Sequence, residues 1–95
     1  MITSEQIRAA RALLRWEQRD LAEASKVSLP SIKRLEANRG PLAAQARTIE
    51  AMRAALEAGG VEFIAENGGG SGVRLRKRRT GPGTIAAEDL NASND

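Results

Sequence analysis

Apolar residues recur three and four positions apart along the first sixty residues and then give way to short alternating runs. Ile7, Ala10, Leu13 and Leu14 mark the inner face of a first helix ending near Leu14, with Arg8, Arg11 and Arg15 on the adjacent row. Thr3 and Gln6 have the spacing of a capping box, and Ile2 is placed to pack on Ile7. A second helix is expected over about Gln18 to Ser25, with Leu21 and Ala22 inward. A third is expected over about Leu29 to Ala37, with Ile32 and Leu35 inward. Lys26, Val27 and Ser28 form the break between them. Ser28 suits the N-cap of the third helix, and Pro30 fits its first turn because the amide it lacks would have no intrahelical partner. After Asn38, Arg39 and Gly40, Pro41 is read as opening a fourth helix that carries Ile49, Met52 and Leu56 inward and stops at Gly59 and Gly60.

Val61 to Ile64 and Val73 to Arg76 are β-favouring runs on either side of the glycine-rich Asn67 to Gly72, which predicts a β-hairpin. Alternation puts Val73 and Leu75 on one face, opposite Val61 and Phe63, to cover the helical core or meet a second subunit. The glycine-rich segment lacks a following Gly-Lys-Ser/Thr and a helix behind it, so it reads as a hairpin loop and not a phosphate cradle. Residues 80–95 are rich in Gly, Pro, Ala, Ser and Asn and read as a flexible tail, with at most one helical turn around Ile85 to Leu90. The organisation expected is thus a helical domain over residues 1–59, a hairpin over 60–79 that is a candidate dimerisation element, and the tail. The fold class is mostly α: a bundle of four to five helices plus a short C-terminal hairpin.

Ninety-five residues make one small domain, which can bury roughly 60% of its unfolded surface, so help from a partner subunit is expected. The chain has no Cys and no His, so it lacks thiolate nucleophiles, imidazole bases and the usual ligands of structural zinc. No metal site and no cofactor is expected, and an enzyme is the weakest reading because no carboxylates converge on a credible nucleophile. No apolar run nears the roughly 20 residues that cross a bilayer, so a soluble, cytoplasmic protein without a membrane partner is expected. The net charge is +3, but through Arg79 it is +6, from fifteen Lys and Arg against nine acids. A basic body suits a polyanionic partner, although basic solvated surfaces are common.

The segment Trp16 to Glu36 is the outline of a helix-turn-helix. Two short helices joined by a tight turn bury Leu21, Val27, Ile32 and Leu35 and leave the start and outer face of the third helix exposed, a shape that fits a major groove about 12 Å wide. Trp16, the one tryptophan, reads as core packing beneath the second helix. Lys33 and Arg34 would on composition alone be a solvated helix face; inside the motif they are candidate base readers.

Gln18, Leu21, Ala22, Val27, Ser28, Ile32 and Glu36 stand at the spacing of the lambda-repressor-like, or XRE, family of helix-turn-helix transcriptional regulators, which the chain resembles over about residues 4 to 58. The resemblance implies a compact helical bundle that binds double-stranded operator DNA as a homodimer, commonly as a repressor. It places Gln18 on a phosphate with Arg19 beside it, Ser28 at the cap of the third helix or on the backbone, and Leu29, Pro30, Lys33 and Arg34 where the family reads bases. Ser31 would read or position, Asn38 and Arg39 would add phosphate contacts, and Arg11 with Glu36 would form a structural ion pair. Lys33 and Arg34 can donate to guanine, whereas Leu29 and Pro30 offer only apolar contact, for example to a thymine methyl. Two positions depart from the family. Lys26 stands where the family has Gly at positive φ, at a cost on the order of 1 kcal/mol. Glu17 replaces the usual Ser or Thr cap of the second helix, where its carboxylate can bond the first amides but would oppose a nearby phosphate.

The basic run Arg74, Arg76, Lys77, Arg78 and Arg79 has three readings: a solvated strand end, a clamp on the DNA backbone, or a contact for an acidic protein. The rival to a DNA-binding regulator is a protein-interaction module, such as an antitoxin or anti-activator, acting through residues 60–95. Neither helix 4 nor the hairpin is singled out by the sequence as a dimer interface.

Overall fold

A computed structural model describes residues 1–76. Helices α1 (Ser4–Leu14), α2 (Gln18–Ser25), α3 (Leu29–Ala37) and α4 (Ala46–Gly59) are followed by strands β1 (Val61–Ile64) and β2 (Gly72–Leu75). The tail and its expected turn at Ile85 to Leu90 lie outside the described residues, as do Lys77, Arg78 and Arg79. None of the helices among the described residues is long and apolar enough to cross a membrane.

The ends of the first three helices follow from local chemistry. At the start of α1 the Thr3 hydroxyl accepts the Gln6 amide at 3.1 Å while Gln6 Oε1 accepts the Thr3 amide at 2.9 Å, the expected capping box. At its end Arg15 turns left-handed at φ 58°, and the amides of Arg15 and Trp16 close onto the carbonyls of Ala12 and Arg11 at 3.1 and 2.8 Å. Lys26 is likewise left-handed at φ 65° and ends α2, so the turn that favours glycine is built here from a residue with a Cβ. At the start of α2, the Asp20 carboxylate accepts the Glu17 amide at 2.8 Å. Ser28 caps α3 by accepting the Ser31 amide at 3.3 Å.

The core draws one to three side chains from each of the first five elements. Ile7, Leu21, Ile32, Met52, Leu56 and Val61 are fully buried, each contributing about 1.5–3 kcal/mol of transfer free energy relative to exposure. Trp16 packs at its margin, as anticipated: a Cβ added to Gly59 would lie 2.8 Å from Leu14 Cδ1 and 3.0 Å from Trp16 Cζ2. The C-terminus of α4 therefore closes on the α1–α2 corner. Leu13 differs from its expected inward placement; it is 39% exposed, because the buried stripe of α1 runs through Ile7 and Ala10 and veers to Leu14.

The fourth helix begins at Ala46, not at Pro41 as the proline suggests. Pro41 instead pairs with Thr3 in an isolated antiparallel bridge, Leu42 donates its amide to the Ile2 carbonyl at 3.2 Å, and the Leu42 side chain is buried. An extended strap across the N-terminus of α1 satisfies more backbone and buries more apolar surface than an extra helical turn pointing into water would. The hairpin pairs Val61 with Leu75 and Phe63 with Val73 in antiparallel register. Its second strand begins one residue earlier than expected, at Gly72, and ends at Leu75. Phe63 and Val73 pack on the helical core, while Leu75 is 52% exposed. Buried Gln6 fastens the loop end of the hairpin by donating Nε2 to the Gly72 carbonyl at 3.0 Å. In the loop the amides of Gly68 and Gly70 both turn onto the Glu66 carboxylate at 3.0 Å, so its anion-facing amides are already filled by the chain's own acid.

The left-handed Lys26 yields a direct expectation. Lys26→Gly should raise the unfolding free energy by about 0.5–1 kcal/mol, the relief of a Cβ at positive φ outweighing the added freedom of the unfolded chain. Thermal unfolding followed by circular dichroism should show a higher midpoint, and a lower one would mean the turn is unstrained.

Candidate nucleic-acid interface

The buried stripe of α3, Ile32, Leu35 and Glu36, fixes which side chains point away from the core. Pro30, Lys33, Arg34 and Ala37 are exposed, and Leu29 and Ser31 are half-buried at the edges. Shallow grooves flank this face. Glu17, Gln18 and Arg19 at the start of α2 line one together with Leu29 and Lys33. Ser28, Ser31 and Arg34 line the other, together with Lys26 and with Gln45 and Thr48 at the start of α4. The fold thus brings seven of the ten candidate DNA-facing residues to the margins of one helix.

Pro30, Asn38 and Arg39 lie outside both grooves. The nine residues of α3, at about 1.5 Å each, span some 13 Å, which puts Asn38 and Arg39 at the opposite end of the helix from Ser28. Their position is set by the N-terminus of α1: the Ser4 hydroxyl donates to the Asn38 carbonyl, and the Ser4 amide donates to the Gly40 carbonyl at 2.9 Å. Glu5 completes the anchor by accepting the Gly40 amide at 3.1 Å. Bonds from the amides of Glu5 itself and Gly40 hold the Glu5 carboxyl below its ordinary pKa.

Glu36 connects the two helices of the motif to α1. Its side chain is 3% exposed, and Arg11 grips it bidentately, Nη2 to Oε1 at 2.7 Å and Nε to Oε2 at 2.8 Å. Gln18 Nε2 donates to the same carboxylate at 3.1 Å, and Arg11 Nη1 donates to the Trp16 carbonyl at 3.0 Å. The Arg11 and Glu36 pair therefore stands as anticipated. Gln18, read as a phosphate contact, also has an intramolecular partner; one N–H of its amide is committed to Glu36 and the second is left to donate outward. Ser28 and Ser31 are similarly engaged, with Ser28 Oγ donating to Ser31 Oγ at 2.8 Å while it caps α3 by accepting the Ser31 amide.

The cations fall into paired and unpaired sets. Arg53 is paired with Glu50 and Glu57 at 2.6 and 2.9 Å, and Arg74 with Glu62 at 2.8 Å. Arg19, Lys26, Lys33, Arg34 and Arg39 form no ion pair among the described residues. Lys26, Gln45 and Thr48 are lining residues that sequence reasoning did not nominate. Lys26 was legible as the turn residue, but the groove it lines with Arg34 depends on tertiary packing. Gln45 and Thr48 were hidden by the assumption that α4 starts at Pro41. Comparison with models of known protein families and with curated proteins finds no match for this chain.

Two measurements probe the supports of this surface. Glu36→Gln should cost about 2–3 kcal/mol in urea unfolding, because it leaves the largely enclosed Arg11 guanidinium without its counter-charge; a loss below about 0.5 kcal/mol would show the pair to be incidental. Because the Glu5 carboxyl titrates below its ordinary range when folded, its stabilisation is complete at neutral pH and is lost as pH falls through that lowered value. Glu5→Gln should therefore flatten the acid limb of a stability profile from pH 6 to 2.5, and an unchanged limb would contradict the anchor.

Proposed function

We propose that the chain is a sequence-specific DNA-binding regulator of the lambda-repressor-like helix-turn-helix type that lays α3 in the major groove, acting as a dimer on an inverted-repeat operator. The observation that carries this reading is the outward face of α3, where Lys33 and Arg34 are exposed and unpaired among the described residues, beside a Gln18 amide held in place by Glu36. Guanidinium and ammonium groups there can donate to guanine O6 and N7, and the exposed Pro30 ring offers apolar contact to a thymine methyl. Free amides in the first turn of α2 and the second N–H of Gln18 suit a phosphate. Arg39, exposed just beyond the end of α3, is assigned a backbone phosphate contact. In a dimer, two such helices would enter successive major grooves about 34 Å apart.

A purely protein-binding role through the hairpin has less to rest on. The hairpin's apolar side chains Phe63 and Val73 are packed against the chain's own core, leaving Leu75 as its exposed apolar residue among those described.

Mobility shifts and footprinting on the DNA flanking the chain's own coding region test the proposal. A protected inverted repeat is expected, and equal affinity for random duplex would refute specific reading. Arg34→Ala should cost about 1–3 kcal/mol on the preferred site and relax its sequence preference, whereas Arg39→Ala should weaken all sequences alike. Unchanged preference in Arg34→Ala would remove the reading face from α3.

A further inference from the structure

We propose that Lys26, the left-handed residue that ends α2, is a contact to the DNA backbone, seating a phosphate in the groove that α3 shares with the start of α4. The inference rests on the DNA-binding reading above and adds a contact on the flank of α3 opposite Gln18.

The difference between the two grooves beside α3 carries it. At about 3.6 residues per turn, Leu29 and Lys33 fall on one side of the exposed Pro30 and Ala37, and Ser31 and Arg34 on the other. The grooves that these pairs line therefore lie on opposite flanks of the helix. The Gln18 groove holds Glu17 together with Arg19 and Lys33, whereas the Lys26 groove holds Lys26 and Arg34 with no carboxylate among its lining residues. The Lys26 groove is also the roomier, at about 890 Å³ against about 170 Å³. Ser31, Gln45 and Thr48 add hydroxyl and amide groups to its lining. A duplex that takes α3 into its major groove presents a phosphate backbone on each side, and on the carboxylate-free flank a phosphate meets cations without opposition.

Lys26 has no role in the fold that its side chain is needed for. Its backbone stands at φ 65°, in the left-handed region that glycine enters without steric cost. The bond that closes α2, from the Lys26 amide to the Ala22 carbonyl at 2.9 Å, uses main-chain atoms alone. Lys26 is exposed and forms no ion pair among the described residues. A strained conformation of this kind is kept where the side chain it carries has a use. The ammonium also suits the C-terminal end of the α2 dipole, but that is an effect on stability and leaves the salt dependence of duplex binding untouched. Two unpaired cations lining one groove repel each other, and a polyanion whose counterions are released on contact turns that repulsion into affinity.

The test compares the intact chain with Lys26→Gln, which keeps the Cβ and removes the charge, and with Lys26→Arg, which keeps both. Binding to a short random-sequence duplex is measured between about 50 and 200 mM KCl. Each phosphate neutralised contributes a slope of about 0.9 to the logarithmic salt dependence, so Lys26→Gln should lose about that much slope. The affinity advantage of the intact chain over it should then shrink about 3.5-fold across the range. Lys26→Arg should keep the slope of the intact chain. On the preferred site Lys26→Gln should retain the sequence preference that Arg34→Ala relaxes. Equal slopes for the intact chain and Lys26→Gln would overturn the contact while leaving α3 as a DNA reader. An altered sequence preference in Lys26→Gln would overturn it by making Lys26 a base reader. An intact chain that binds no duplex at any salt would overturn the contact and the DNA-binding reading together.

Discussion

A carboxylate enclosed on the inner face of a nine-residue helix is costly unless its oxygens are met by donors, and Glu36 is met by three: two from Arg11 on α1 and one from Gln18 on α2. The interaction therefore joins three helices at one point. Desolvation offsets much of the Coulombic gain of such a pair, so its importance lies in geometry: a bidentate guanidinium fixes the rotation of α3 about its axis, and the Gln18 amide fixes α2 relative to it. Arg11 also reaches the Trp16 carbonyl, which sets the corner from which α2 departs. The outward aim of Lys33 and Arg34 is a consequence, since they flank the buried row to which Glu36 belongs.

The far end of the motif is held by side-chain and backbone hydrogen bonds from a distant part of the chain. Ser4, Glu5, Ile2 and Thr3 capture the segment from Asn38 to Leu42, so the loop that carries Arg39 is an edge of the α1 N-terminus and not a free linker. On the opposite flank, Gln6 serves twice, capping α1 and fastening the hairpin through the Gly72 carbonyl. A small domain with few large apolar side chains gains rigidity from such multiply bonded polar residues.

The cations divide into two groups, and this division organises the functional reading. Arg53 on α4 and Arg74 on β2 are neutralised by neighbouring glutamates, while those on α2, α3 and the loops beside them, like Arg8 and Arg47 elsewhere, find no carboxylate among the described residues. Unpaired cations gathered along α2, α3 and the loops beside them give that surface a local positive potential even at a modest net charge.

Much of the fold was legible because it rests on short-range rules. The three-residue break at Lys26 to Ser28, the capping box at Thr3, the cap at Ser28 and the register of Val61 with Leu75 all depend on residues close in sequence or on period-two alternation. Leu13 and the start of α4 were not legible, because an apolar residue can lie on the edge of a stripe and a proline opens a strap as readily as a helix. Which of the two occurs depends on Thr3 and Ile2, nearly forty residues away. By itself the sequence determined the helices, their caps, the hairpin and the candidate residues of the motif, since local hydrogen bonding and side-chain periodicity specify these. Only the tertiary structure decided that Gln18 shares a carboxylate with Arg11, that Lys26, Gln45 and Thr48 line one groove with Arg34, and that Arg76 is fastened to the C-terminus of α4. Those relations arise from packing between segments far apart in the chain, which no local pattern encodes.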